Sequence, residues 1–187
     1  MKRIMDINVL KQTASAMVAP GKGILAADES TKTIQKRFDK IGIESNSEAN
    51  LKYRKMLFAT KGIEQFISGV ILYDETIRQK VDLPAGRHGG LSVPEFLESK
   101  GILPGIKVDK GVVDLDNFPG EKITEGLDGL RDRLTEYKEM GAKFAKWRAV
   151  IKIGDGIPTK TCLYANAGVL ARYAAIAQNC GLVPIIE

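Results

Sequence analysis

Lys143-Phe-Ala-Lys-Trp-Arg-Ala-Val-Ile151 has the apolar content of a buried strand and yet carries two cations in its middle. A strand changes sides at every residue, so Phe144, Lys146, Arg148 and Val150 face one way, and Ala145, Trp147, Ala149 and Ile151 the other. Burying two neighbouring cations with no anion to answer them costs several kcal/mol per ion. An anionic ligand is the simplest compensation for Lys146 and Arg148.

The same pattern recurs on either side of this stretch. Ile24-Leu-Ala-Ala-Asp-Glu-Ser30 is apolar until Asp28, and Gly105-Ile-Lys-Val-Asp109 carries Lys107 and Asp109 on one face. Ile67-Ser-Gly-Val-Ile-Leu-Tyr-Asp-Glu75 and Leu182-Val-Pro-Ile-Ile-Glu187 also end in carboxylates. Short apolar runs that turn acidic or basic at their carboxyl ends suit a parallel barrel, whose chemistry sits on that rim. The fold class expected is α/β.

With 187 residues and 44% hydrophobic content, the chain can bury one sizeable core and is short for two domains. A complete (β/α)8 barrel takes about 250 residues. The expectation is therefore a partial TIM barrel of about the first five β/α units. Residues 1–187 would be the amino-terminal part of a single domain, with the carboxyl-terminal half absent. The net charge of +5 is spread along the chain rather than clustered, which favours phosphorylated metabolites over nucleic acid. Cys162 and Cys180 lack zinc-site spacing and read as reduced core thiols. The single histidine, His88, lies in Ala85-Gly-Arg-His-Gly-Gly90 and reads as a loop residue. Asp6, Asn8 and Lys11 interrupt the apolar core that a secretion signal needs, and no run reaches membrane-spanning length, so a cytoplasmic protein is expected.

Helices are expected at 2–17, from Ser30 or Thr31 to about 40, and from Ser45 or Ser47 to about 62. Further ones are expected at 94–100, from Gly126 to 140, and at 159–179. The last carries Leu163, Ala167, Leu170, Ala174 and Ala177 at helical spacing. Alternation of these helices with apolar strands argues for a parallel sheet covered by helices. Pro184 removes a ladder donor inside the fifth strand, and Gly168 inside a helix suggests close packing.

Gly154-Asp-Gly-Ile-Pro-Thr-Lys-Thr161 is not a phosphate-binding P-loop, because Thr159 stands where glycine must precede Lys160. Asp28-Glu-Ser-Thr-Lys-Thr33 is a better anion site, since hydroxyls and free N–H groups meet at a helix start. Lys107, Lys146 and Arg148 would converge with it on one rim, beside Asp28 and Glu187.

Gly23-Ile-Leu-Ala-Ala-Asp-Glu-Ser-Thr31, Val70-Ile-Leu-Tyr-Asp-Glu-Thr76, Gly105-Ile-Lys-Val-Asp-Lys-Gly-Val-Val113, Phe144-Ala-Lys-Trp-Arg148 and Val169-Leu-Ala-Arg-Tyr-Ala174 closely resemble class I fructose-bisphosphate aldolase. The resemblance covers essentially the whole chain, but only the amino-terminal half of the family's sequence. It implies a (β/α)8 barrel, usually a homotetramer, that cleaves fructose 1,6-bisphosphate reversibly into two triose phosphates through a lysine Schiff base, without metal or other cofactor. By the same resemblance, Asp28 stands beside the scissile bond and Lys146 next to the reacting carbonyl carbon. Glu187 transfers protons during imine formation. Lys107 and Arg148 receive a phosphate, with Ser30, Thr33 and Arg37 as its neighbours. The family's Schiff-base lysine lies on a sixth strand beyond these residues, and a second glutamate that follows Glu187 in the family is absent. The 187-residue chain is therefore expected to be inactive alone. Asp114 replaces a common proline and Lys32 a frequent glycine; neither removes a catalytic group. A phosphate-binding or assembly module without catalysis is the alternative, and another Schiff-base barrel such as a transaldolase fits the quoted motifs less well.

Overall fold

A computed structural model describes residues 6–81 and 90–187. His88, most of its Gly-rich stretch and residues 2–5 of the expected first helix lie outside the described residues. The strands are β1 (Gly23–Ala27), β2 (Ile67–Leu72), β3 (Lys80–Val81), β4 (Leu91–Ser92), β5 (Leu103–Lys107), β6 (Val112–Asp114), β7 (Lys122–Thr124), β8 (Phe144–Trp147) and β9 (Val183–Ile186). The helices are α1 (Ile7–Met17), α2 (Thr31–Asp39), α3 (Ser47–Phe58), α4 (Asp74–Ile77), α5 (Val93–Ser99), α6 (Leu130–Glu139) and α7 (Lys160–Asn179).

Five strands form one parallel sheet in the order β1-β2-β5-β8-β9, each beside the next in sequence, with helices between them. This is the arrangement of five consecutive units of a (β/α)8 barrel. The period-two reading of the strands holds. Ala27, Val70, Leu72, Ile106, Ala145 and Trp147 point outward into a core shared with Phe58, Leu97, Leu134 and Tyr173 of the helices. Each fully buried aliphatic or aromatic side chain there contributes about 1.5–3 kcal/mol over exposure.

Ile71 and Phe144 point inward with Met17 of α1, and Ile24, Leu103, Val183 and Ile185 pack on them. The Phe144 ring fits because its neighbours across the sheet are glycines. A Cβ on Gly105 would lie 2.2 Å from that ring, and one on Gly69 3.0 Å from it. Apolar residues thus fill the inside below the rim, and charge begins one layer higher, where Lys107 and Lys146 are register partners.

Several local expectations need correction. Asn46, not Ser45 or Ser47, caps α3, accepting the Ala49 N–H at 2.9 Å, and α3 ends at Phe58 rather than near 62. β2 stops at Leu72, so Asp74 and Glu75 open α4 instead of ending a strand. α6 starts at Leu130, because Gly129 takes a left-handed conformation at φ 65° that a helix interior excludes. The strand quoted at the outset ends at Trp147.

The buried face of α7 is Cys162, Asn166, Tyr173 and Ala177, while Leu163 and Ala167 are exposed. Gly168 is not a close-packing site, since a Cβ there would meet nothing within 4 Å. Pro184 is tolerated for a geometric reason: Val183 and Glu187 donate to Lys143 O and Trp147 O of the β8 segment. Alternation then turns the Pro184 nitrogen away from β8.

Candidate active site

Parallel strands put all their carboxyl ends on one rim, and the chemistry-bearing side chains follow from that. Asp28 lies just past β1, Lys107 ends β5, Lys146 and Arg148 sit at the end of β8, and Glu187 just past β9. Lys146 Nζ lies 3.2 Å from Asp28 Oδ2 and 2.9 Å from Glu187 Oε2, with its side chain almost wholly buried. Burial pulls the Lys146 pKa down, but the hydrogen bond to Glu187 and the charge of Asp28 outweigh it, and the net shift is upward. Lys146 is therefore a fixed cation at neutral pH.

Part of the charge that the sequence reading most simply assigned to an anionic ligand is supplied by these carboxylates. Asp28 and Glu187 answer Lys146 within the protein. Arg148 lies past the strand end with 57% of its side chain exposed, 3.4 Å from Glu187 Oε1. Hydration spares Arg148 most of the cost of burial.

Lys107 is held by Asp109, at 3.1 Å. Asp109 also accepts the N–H groups of Gly111 at 3.1 Å and Arg148 at 3.4 Å, so one carboxylate organises the ends of β5 and β8. The β6–β7 hairpin, which the sequence reading did not foresee, adds a further tie where Thr124 Oγ1 donates to Arg148 O at 2.8 Å. At the opposite side, Ser30 precedes α2 with its hydroxyl 3.0 Å from that of Thr33 and no side-chain bond to the helix N–H groups. Arg37, one helical turn further on, pairs with Glu29 and donates to Tyr53 at 2.7 Å.

These groups enclose a cleft of about 410 Å³. Of the residues expected in the site, Asp28, Ser30, Thr33, Arg37, Lys107, Lys146 and Arg148 line it, and Glu187 joins it through its two ion pairs. Glu29, Asp109, Gly111, Val112 and Val150 also line it, though the sequence reading gave none of them a role in the site. Glu29 carried a signal in its place beside Asp28; Val112 could be placed only by the hairpin. Among the described residues, no three His, Cys, Asp or Glu side chains gather as a metal-binding set. A helix amino terminus with no side-chain cap, with the Ser30 and Thr33 hydroxyls and several cations beside it, is suited to a phosphorylated ligand.

Comparison with known proteins agrees with this geometry. The family model of class I fructose-bisphosphate aldolase matches residues 9–187. A probable class 1 fructose-bisphosphate aldolase of Xanthomonas campestris is 56% identical over 183 residues, covering 98% of this chain and 53% of that protein. The fructose-bisphosphate aldolase of Schistosoma mansoni is 50% identical, over 96% of this chain and 48% of its own length. A solved aldolase of Plasmodium falciparum, in complex with TRAP and a small-molecule inhibitor, superimposes with a TM-score of 0.89 at 48% identity, covering 96% of this chain and 51% of that one. The chain spans about half the length of the relatives it matches. Because the match runs through all five strands that build the rim, and does so in sequence and in backbone alike, the chain belongs to the class I fructose-bisphosphate aldolase family.

Proposed function

We propose that residues 1–187 are the amino-terminal part of a single barrel domain of a fructose 1,6-bisphosphate aldolase. This lyase splits its substrate reversibly into dihydroxyacetone phosphate and glyceraldehyde 3-phosphate through a lysine imine. The observation that carries the reading is Lys146, held as a cation between Asp28 and Glu187 on a cleft whose other cations are Lys107, Arg148 and Arg37.

An amine must be neutral to attack a carbonyl, and a fixed cation nearby lowers its pKa by repulsion, which is the role of Lys146 toward the imine-forming lysine. That lysine is supplied by polypeptide beyond these five strands. Losing water from the carbinolamine needs a proton on the departing oxygen, which Glu187 delivers. Cleaving the carbon–carbon bond needs a base for the neighbouring hydroxyl proton, and Asp28 is the carboxylate for it. Ser30, Thr33 and Arg37 at the start of α2, with Lys107 and Arg148, hold a substrate phosphate and orient the carbon chain. The working protein is a cytoplasmic homotetramer.

The test is a hybrid in which this chain supplies the first half and the Xanthomonas relative the remainder. The hybrid should cleave fructose 1,6-bisphosphate. Substrate plus borohydride should label it once per chain, on a lysine outside residues 1–187, and should label nothing in the 187-residue chain alone. A soluble hybrid without activity, beside an active parent relative, would overturn the reading; a label on a lysine of this chain would reassign the nucleophile.

A further inference from the structure

The buried face of α3 consists of Asn50, Arg54 and Phe58, two of them polar where a helix packed on a sheet ordinarily presents hydrocarbon. Arg54 is completely buried. Its Nη2 donates to the backbone oxygen of Glu29 at 2.6 Å, and its Nη1 to Thr76 Oγ1 at 2.6 Å and Glu75 Oε2 at 3.1 Å. One guanidinium thus ties the segment after β1 to the helix that follows β2. The segment it grips is the one that presents Asp28 and Ser30 to the cleft.

A second feature concerns the Glu29 side chain, which stands between two guanidinium groups. One carboxylate oxygen pairs with Arg37, in the cleft. The other has no hydrogen-bond partner and lies 4.0 Å from Arg54 Nε, which is also buried and without one. Two unpartnered atoms of opposite charge separated by that gap need only a small rotation of Glu29 to meet.

We infer that Arg54 is a positioning residue for the phosphate side of the cleft. Its Nη2 bond to the Glu29 carbonyl fixes the backbone from which the Glu29 side chain reaches Arg37. Its Nε gives the Glu29 carboxylate a second seat, so that Arg37 can leave Glu29 for a phosphate without stranding a buried anion. The inference deepens the proposed function and rests on Arg37 taking part in phosphate binding.

The test is a double-mutant cycle in the hybrid protein, read as the dissociation constant of inorganic phosphate by calorimetry and as KM for fructose 1,6-bisphosphate. Lysine at position 54 keeps the charge and loses the fork, so Arg54→Lys should weaken phosphate about tenfold. In an Arg37→Ala background, where no cation is left to hand over, the same change should weaken phosphate less than about twofold. A purely structural role for Arg54 would give the same fold-loss in both backgrounds, and that result, or no loss in either, overturns the inference. If Arg54→Lys fails to fold, Thr76→Val removes one of its anchors and carries the same cycle under the same criteria. A hybrid that binds phosphate without cleaving sugar would count against the proposed function alone, because the phosphate cycle does not need turnover.

Discussion

Replacing Lys146 by methionine probes the ion pairs at the centre of the site. Its side chain is only 8% exposed, against 13% for Asp28 and 49% for Glu187. At an effective dielectric of about 20, unit charges at this separation attract by about 5 kcal/mol before desolvation is subtracted. Water screens the Glu187 contact, so Asp28 accounts for most of the effect. Removing one partner of a buried pair costs about 3–5 kcal/mol, because a charge is left behind unanswered. With one of the two carboxylates hydrated, about 3 kcal/mol is expected at pH 8, which lowers a urea midpoint by about 1 M at ordinary slopes. The pH dependence follows from the upward shift of the Lys146 pKa above 10.5. A group whose pKa is raised by folding stabilises fully below its unfolded value and ceases to do so as pH climbs through its folded value. The difference between the parent hybrid and Lys146→Met should therefore be complete at about pH 8 and fade only as pH climbs past 10.5 through the raised folded value. Urea unfolding at fixed protein concentration reads both. Arg148→Ala is the contrast: its exposed pair with Glu187 is worth no more than about 1 kcal/mol. Lys146→Met as stable as the parent at pH 8, or a difference that persists undiminished above the lysine range, would refute the reasoning.

Steady-state kinetics of the hybrid should separate the two strand lysines. Lys146→Ala should act mainly on kcat and Lys107→Ala mainly on KM, and equal kcat losses at unchanged KM would contradict that division. Gly105→Ala drives a methyl into the Phe144 ring and should cost about 1–3 kcal/mol in urea unfolding, recovered in part by adding Phe144→Leu. No loss would mean that the barrel interior has more slack than its packing indicates. Burial opposes ionisation of Glu121, but the N–H and hydroxyl of Thr159, at 2.7 and 2.6 Å, prevail and hold its pKa below 4.5. A lowered carboxylate pKa stabilises above the unfolded value, and that stabilisation is lost as pH falls through the folded one. The parent should therefore lose more stability on acidification than Glu121→Gln, and parallel curves would exclude the contribution.

The parallel α/β architecture was legible because strand alternation leaves a strong mark. The apolar runs that became β1, β2, β5, β8 and β9 are bounded by breakers and end in charge, and their order in sequence is their order in space. The rim residues were legible for the same reason. The β6–β7 hairpin was not, since its strands are three residues each with a wholly exposed β6, and so leave no alternating apolar pattern to read. The α7 face was misread because Cys162 and Asn166 are small or polar. The buried amide of Asn166 donates to Cys162 O at 3.0 Å, one turn back, and to Lys122 O at 2.9 Å, a tertiary contact that no local pattern announces. Arg54 escaped notice likewise, as a charged residue on a helix that every propensity argument places in solvent.

The cations of the site differ in how firmly they are held, and this bears on how a single cleft could serve both binding and chemistry. Lys146 has two carboxylates and is buried, so an arriving phosphate has little to gain by displacing them. In the proposed mechanism it keeps its place and its charge beside the reacting carbon. Arg148 and Arg37 have one carboxylate each and more than half of each side chain exposed, so a doubly charged phosphate can outbid a single carboxylate for them at small cost. Lys107 is intermediate: it is mostly buried, but its one partner, Asp109, is also engaged by two backbone N–H groups and would not be stranded if Lys107 turned to a ligand. The groups proposed to bind can therefore be released, and the group proposed to act on the carbonyl carbon cannot.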